Sequence, residues 1–292
     1  MGAKQAQALA LGTGVVAGDF LRDVERTGNA LGKPKSERRK RIEELEIPYF
    51  EPGETEWLLW MGCIWSYDPD SRAAVEATVE LLKRADVSFG VLKQEHCSGH
   101  HSRRQGEEMQ FQTLAGENLE AFKESGVTKI IAPCPHCVHT LGKEYPDLDG
   151  DFQPEIVHHT QMFERLIAEG RLRPAAGAFE GVASTYHDPC YLARYESETA
   201  APRSLLARAG VRFEEMERSG VRTMCCGGGA AGFARTDEYE RRVDQERSDQ
   251  VRATGAKMLV VSCPECKMML NPAAEETRDI GEVLAEAVKR GG

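Results

Sequence analysis

No stretch of this chain is apolar for anything near the ~18 residues that a bilayer-crossing helix needs; the longest strand-like apolar runs, Lys129 to Ala132 and Met258 to Val261, are short. A direct membrane span is therefore not expected. Positive charge is also in short supply. Asp and Glu number 47 against 37 Lys and Arg, a formal net charge of -10, which disfavours a polyanion such as nucleic acid as the main partner. The one basic cluster, Lys33 to Arg41, reads as a solvated helix start or a subunit contact. A secretory leader is poorly written too. Residues Ala6 to Gly18 are mildly apolar, but Lys4 is the only charge before them and three glycines interrupt them. The expected location is the cytoplasm, with any membrane association made through partner subunits.

Cysteine, by contrast, is abundant, with nine in the chain. A reducing compartment disfavours structural disulfides, and an odd count leaves one thiol over in any all-disulfide scheme, so metal or redox chemistry is the natural inference. The nine form one pattern written twice. Cys63, Cys97, Cys134 and Cys137, shifted by 127 to 129 positions, land on Cys190, on Cys225 or Cys226, and on Cys263 and Cys266. The flanking text follows, Ser125-Gly-Val-Thr-Lys-Ile-Ile-Ala-Pro-Cys-Pro-His-Cys137 matching Thr254-Gly-Ala-Lys-Met-Leu-Val-Val-Ser-Cys-Pro-Glu-Cys266. Self-similarity at this length means a duplicated domain rather than a solenoid.

Each copy reads as an α/β unit. Trp57 to Met61 and Ala183 to Tyr186 look like buried strands ending at the first cysteine, and Ser71 to Ala85 and Pro202 to Ala209 have helical apolar spacing. Second strands are expected near Ser88 to Leu92 and Arg212 to Met216, then long helices over Glu108 to Ser125 and Glu238 to Thr254, then a third strand running into Cys-Pro-x-Cys. This alternation predicts parallel, Rossmann-like sheets with the cysteine loops at the carboxyl ends of the strands. The expected organisation is an N-terminal docking arm over 1–55, a first domain over 56–170 and a second over 178–292, with Glu155 to Gly181 between the copies and a Gly- and Ala-rich linker after Arg173.

A Cys-Pro-x-Cys pair between a strand and a helix start favours thiolate, the metal-binding form. Four soft ligands per copy is the number an Fe4S4 cluster takes, and the second copy has a fifth in Cys225-Cys226. Two other chemistries compete. Four thiolates also suit a structural zinc, which would make the chain a scaffold module, and Cys134-Pro-His-Cys137 alone resembles a thiol-disulfide oxidoreductase motif. Gly227-Gly-Gly-Ala-Ala-Gly232 has dinucleotide-loop spacing, but it follows two cysteines and no acidic residue stands ready for a ribose. These glycines read instead as letting the backbone approach a cluster and donate to its sulfurs. Of the histidines, His136, His139, His158, His159 and His187 read as packed or outer-sphere groups.

These residues resemble the Cys-Cys-Gly (CCG) domain proteins typified by the heterodisulfide reductase B and D subunits. The resemblance spans about residues 57 to 292 and rests on Trp60-Met-Gly-Cys63, Cys97-Ser-Gly99 with Arg103-Arg104, Pro133-Cys-Pro-His-Cys137, His158-His-Thr-Gln161, Tyr186-His-Asp-Pro-Cys-Tyr191 and Cys225-Cys-Gly-Gly228. It implies electron transfer within a larger complex. All nine cysteines, Cys63, Cys97, Cys134, Cys137, Cys190, Cys225, Cys226, Cys263 and Cys266, would be cluster ligands. The second set would hold the unusual non-cubane type, with Cys225 and Cys226 where catalysis occurs, and the first a relaying cubane. The missing fifth ligand of the first set falls at Ser98 or His96, the glycine register favouring Ser98. Fused relatives carry a ferredoxin module ahead of these domains. The run through Gly28-Asn29, Gly32-Lys-Pro34 and Arg38 resembles the linker after it, so the expected partner is a separate ferredoxin-type subunit, like heterodisulfide reductase C, together with a flavoprotein.

Overall fold

The computed structural model describes residues 18–235 and 242–291; the apolar stretch ahead of residue 18 and the expected Glu238 helix start lie outside them. Two helices come first, α1 (Gly18–Thr27) and α2 (Lys35–Glu44). The first half then runs β1 (Trp57–Leu59), α3 (Gly62–Tyr67), α4 (Arg72–Arg84), β2 (Phe89–Gly90), α5 (His100–Gln105), α6 (Glu108–Ser125), β3 (Lys129–Ala132), α7 (Pro135–His139), β4 (Glu155–His158) and α8 (His159–Ala168). The second runs β5 (Ser184–His187), α9 (Ala200–Arg208), β6 (Phe213–Glu214), α10 (Val243–Ala253), β7 (Met258–Val261), α11 (Pro264–Leu270), β8 (Glu276–Asp279) and α12 (Ile280–Gly291).

The strands form two four-stranded sheets, ordered β2-β1-β3-β4 and β6-β5-β7-β8, and every pairing is parallel. The register repeats as well, Leu59 opposite Ile131 in one sheet and Tyr186 opposite Val260 in the other. The duplicated α/β architecture expected from the cysteine spacing is therefore the observed one. Central strands covered on both faces need apolar residues throughout, and Met258–Val261 is buried at every position. As expected, β1, β3, β5 and β7 each deliver a cysteine loop from a carboxyl end. Helix α6 stops at Ser125 because Gly126 takes a left-handed conformation (φ 63°), letting its N–H and that of Val127 close on Lys123 and Phe122 carbonyls.

Each half holds one β-α step that the sequence reading did not name. Glu155 to Ala168 is not connecting chain but β4 and α8, and β8 with α12 closes the second half in the same way. Met162, Phe163 and Leu166 give α8 its buried face, a stripe too short to stand out from the loop-like residues after it. The segment after Arg173 does run in turns.

Residues 18–50 are packed against the first half rather than standing off it. Phe20, Val24 and Ala30 share a buried cluster with Cys63, Ile64, Tyr67 and Cys97, and Tyr49 bridges Val91 at the sheet edge. The two halves also share a core. Val75 and Leu82 of α4 and Phe163 and Leu166 of α8 are buried in one cluster with Leu205 and Leu206 of α9 and Val283 and Leu284 of α12.

Candidate metal centre

The first thiol set is assembled by loops that a buried carboxylate ties together. Past β1, Gly62 turns the chain with φ 65°, and a Cβ there would stand 3.5 Å from the Cys137 sulfur and 3.6 Å from the Trp60 indole nitrogen. The fully buried Glu95 accepts the Gly62 N–H at 2.7 Å and the Met61 N–H at 3.3 Å, while Arg38 of α2 donates to it at 3.2 Å. Burial pushes the Glu95 carboxyl up, with Arg38 opposing. Cys97 follows two residues on, its N–H donating to the Gly28 carbonyl at 2.7 Å. Cys134 caps α7, Pro135 fills the first-turn position that needs no N–H, and Cys137 follows one turn on. Ser98 places its hydroxyl 3.6 Å from the Cys137 sulfur. His96 faces away, between Glu117 at 3.1 Å and Lys35 at 3.4 Å.

In the second set Cys190 lies 3.8 Å from Cys225, and the Gly227 N–H donates to the Cys225 sulfur at 3.2 Å. Asp188 takes the part Glu95 plays in the first half. It pairs bidentately with Arg203 at 2.7 and 2.9 Å and accepts the Gly220 N–H at 2.8 Å. Cys263 caps α11 and Cys266 lies in its first turn. His187, at the end of β5, accepts a hydrogen bond on Nδ1 from the buried Arg247 at 3.0 Å.

Beyond Gly227 the glycine loop does something the sequence did not announce. It crosses to the first half, where the Ala231 N–H donates to His101 Nδ1 at 3.0 Å and the Ala230 carbonyl accepts from Gln105. Ala230 and Ala231 hold positive φ angles of 54° and 60° to do so. His101 and His136 both face the Glu265 carboxylate, at 3.2 and 3.4 Å. Burial opposes a charge on His101 but Glu265 more than offsets it, and its pKa is raised. His100, His101, His136 and Glu265 line one pocket with Cys63, Cys97, Cys134 and Cys137. The two thiol sets meet there: donor atoms of Cys134, His136 and Cys263 lie within 4.8 Å of one another, as do those of His187, Cys226 and Cys266.

All nine cysteines are free thiols and all but Cys225 are buried. Crowded sulfurs cannot all ionise without a cation. Cys225 is drawn down to about 2 by hydrogen bonds from Cys190 and Cys226, and Cys97 to about 7 by one from Cys63. Burial works against Cys263, yet Cys134 and Cys266 bring it to about 6. Their partners, Cys190 and Cys63 among them, are pushed up in exchange. Sequence reasoning gave no role to Glu95, Asp188, Arg247 or Glu265; Glu265 carried a signal as the variable position of Cys-Pro-x-Cys, and Asp188 one inside Tyr186-His-Asp-Pro-Cys-Tyr191. His158 and His159 point elsewhere, to the Pro133 carbonyl at 3.0 Å and to Asp279 at 3.3 Å.

A family model described as a cysteine-rich domain, CCG, matches residues 57–142 and again 184–271. The chain belongs to this family. It is 37% identical over 252 residues to the EtfAB:quinone oxidoreductase of Syntrophomonas wolfei, covering 81% of this chain and 35% of that protein. Identity is 35% over 286 residues to the probable iron-sulfur-binding oxidoreductase FadF of Bacillus subtilis, covering 92% and 40%. For one subunit of the dihydromethanophenazine:CoB–CoM heterodisulfide reductase of Methanosarcina mazei it is 31% over 239 residues, covering 78% and 58%. The chain thus spans 35 to 58% of these relatives' lengths. No described helix is long and apolar enough to cross a membrane.

Proposed function

We propose that this chain is the iron-sulfur electron-transfer part of a heterodisulfide-reductase-like oxidoreductase, with one cluster in each CCG unit, 56–170 and 178–292. The observation that carries the reading is the meeting of the two thiol sets at Cys134 and Cys263. Electron exchange falls steeply with distance, and ligands in contact leave almost none to cross. The donor set fits such groups. Nine soft thiols converge, six from the ends of β1, β3, β5 and β7 and three from the loops after β2 and β6, and buried polar atoms without a protein partner face the same region, among them Trp60 Nε1, His136 Nε2 and Glu265 Oε2. One group of donors within 4.8 Å of each other, Cys134, His136 and Cys263, mixes the two halves, and the other, His187, Cys226 and Cys266, lies within the second; neither gathers four thiols of one set around a single point, which suits clusters of several irons better than a lone zinc. A cluster bound at each set would supply one-electron exchange.

The residues around them have definable tasks. Cys63, Cys97, Cys134 and Cys137 would hold the relaying cluster, a cubane of Fe4S4 type. Cys190, Cys225, Cys226, Cys263 and Cys266 would hold the terminal one, of the non-cubane type, with Cys225 and Cys226 at the reacting end; Cys225 is the least covered of the nine. Glu95 and Asp188 hold the first-cysteine loops in place, and the 227–232 loop excludes water from the junction. A ferredoxin-type module and a flavoprotein are the proposed electron donors, residues 18–50 being the surface that lies over the first set. Metal analysis of anaerobically purified protein tests the reading. Iron with acid-labile sulfide supports it, and zinc without visible absorption sinks it.

A further inference from the structure

The pseudo-repeat puts a ring nitrogen at the same place in each half. Trp60 and His187 stand three residues before the first cysteine, in Trp60-Met-Gly-Cys63 and His187-Asp-Pro-Cys190. Structure gives the same equivalence. Leu59 opposite Ile131 matches Tyr186 opposite Val260, so the next residues, Trp60 and His187, leave equivalent strands at equivalent positions. Both side chains are fully buried. In both, one ring nitrogen lacks any partner: Nε1 of Trp60 and Nε2 of His187. A buried N–H without an acceptor is costly and rare, and asks for a group that the protein atoms do not provide.

Each orphan sits beside its own thiol set. The indole nitrogen and the Cys137 sulfur flank the same point above Gly62, at 3.6 and 3.5 Å from where a Cβ would be. A ring nitrogen of His187 lies within 4.8 Å of the sulfurs of Cys226 and Cys266, and Cys266 is the repeat partner of Cys137. The His187 trio has the look of a metal-ligand set, but the ring has no lone pair to give. A guanidinium can only donate, so the Arg247 bond to Nδ1 at 3.0 Å uses that lone pair. The ring proton of the neutral tautomer then resides on Nε2. Arg247 is not free to let go, being held by the Arg218 carbonyl at 2.9 Å and Gln250 at 2.7 Å.

We propose that Trp60 and His187 are a pseudo-symmetric pair of N–H donors to cluster sulfur, one per site, and that His187 donates to the second cluster instead of ligating it. The proposal rests on the iron-sulfur reading above. Hydrogen bonds to cluster sulfurs stabilise the more negative, reduced state and raise the reduction potential. Arg247 is then a positioning residue, setting which nitrogen of His187 carries the proton.

The test uses the full chain, loaded anaerobically, with iron and sulfide content and the two reduction potentials followed by EPR titration. Trp60→Phe keeps an aromatic ring and removes only the donor; it should shift the first site's potential negative and leave the second in place. His187→Phe should shift the second alone, and His187→Gln, which restores an N–H, should recover part of the shift. A measurement on the unaltered protein covers variants that load poorly. Pulsed EPR in deuterated buffer should find an exchangeable deuteron near each cluster and only weak nitrogen coupling at the second. Full clusters with unmoved potentials, or a strongly coupled, directly bound nitrogen, would overturn the donor assignment while leaving the functional reading intact. A preparation holding zinc and no sulfide would take both down.

Discussion

Glu95 shows how much of the first thiol set depends on a residue that is not a cysteine. Its carboxylate and the Arg38 guanidinium are both buried, and the carboxylate also accepts two N–H groups of the Cys63 loop. Breaking a buried ion pair from one side costs about 3–5 kcal/mol because the other charge is left bare. Arg38→Met should therefore lower stability by about that much in urea melts. The double variant Arg38→Met/Glu95→Leu should recover only part, since Met61 and Gly62 lose their acceptor. The same pair changes the meaning of an N-terminal truncation. Deleting residues 1 to 45 takes Arg38 with it, so bleaching of the first cluster is the expected outcome, not the clean loss of a docking arm. Cysteine spacing made the nine thiols legible and left Ser98 and His96 as the two candidates for the fifth position of the first set; the Ser98 hydroxyl lies 3.6 Å from the Cys137 sulfur. Glu95 was not legible, because one acidic residue in a polar loop has no period and no motif. The junction couples the cysteines of the two sets as well. With Cys134 beside Cys263, Cys134→Ala should disturb the spectra of both clusters, whereas Ser98→Ala should keep the iron content of both.

At the scale of elements, the strand-to-helix corner at β4–α8 carries a pH dependence. His158 caps α8, its Nδ1 bonded to Thr160 at 2.7 Å and its Nε2 donating to the Pro133 carbonyl at 3.0 Å, next to Cys134. Burial, and then the neighbouring His159, hold its pKa well below the ordinary 6.5. Above that pH both folded and unfolded chains carry it neutral, and its contribution is constant. As pH falls below 6.5 the unfolded chain takes up a proton that the native state refuses, so stability is lost, at up to about 1.4 kcal/mol per pH unit for one such histidine. His100 and His187 are displaced in the same direction. Urea melts of the unaltered protein and of His158→Gln at pH 7 and pH 5 should show a shallower acid slope in the variant, and equal slopes would show that His158 is protonated in the fold. This corner was also where the sequence was hardest to read. Helix α6 declares both its ends through a long apolar pattern and Gly126. Strand β4 and helix α8 are short, and the residues at their joint, His158, His159, Thr160 and Gln161, look like loop until their capping bonds are seen.

Across the whole molecule the repeat and the packing tell different stories about independence. Sequence spacing divides the chain into two copies, and each copy has its own sheet. The helices on one side of those sheets nonetheless bury their apolar faces against each other, α4 on α12 and α8 on α9. Leu82, Leu205, Leu206 and Leu284 are buried in the resulting cluster. Periodicity shows that a helix has an apolar face but not which helix covers it, which is why this interface could not be read in advance. On the other side the 227–232 loop clasps His101 and Gln105 of the first half, so the junction between the thiol sets is gripped from both ends. A truncation such as Leu82→Ala opens a cavity costing about 2–5 kcal/mol, and its effect should not stay within the first half. If the copies were separate bodies, iron would be lost from the first site alone, the second keeping its full EPR signal. With a shared core the sheets lose their common support, and iron at both sites should fall together as temperature rises, along one melting curve. Thermal release of iron from each site of Leu82→Ala and of its counterpart Leu206→Ala distinguishes the two cases, and a variant that empties one site while the other survives intact would refute the shared core as the source of cluster retention.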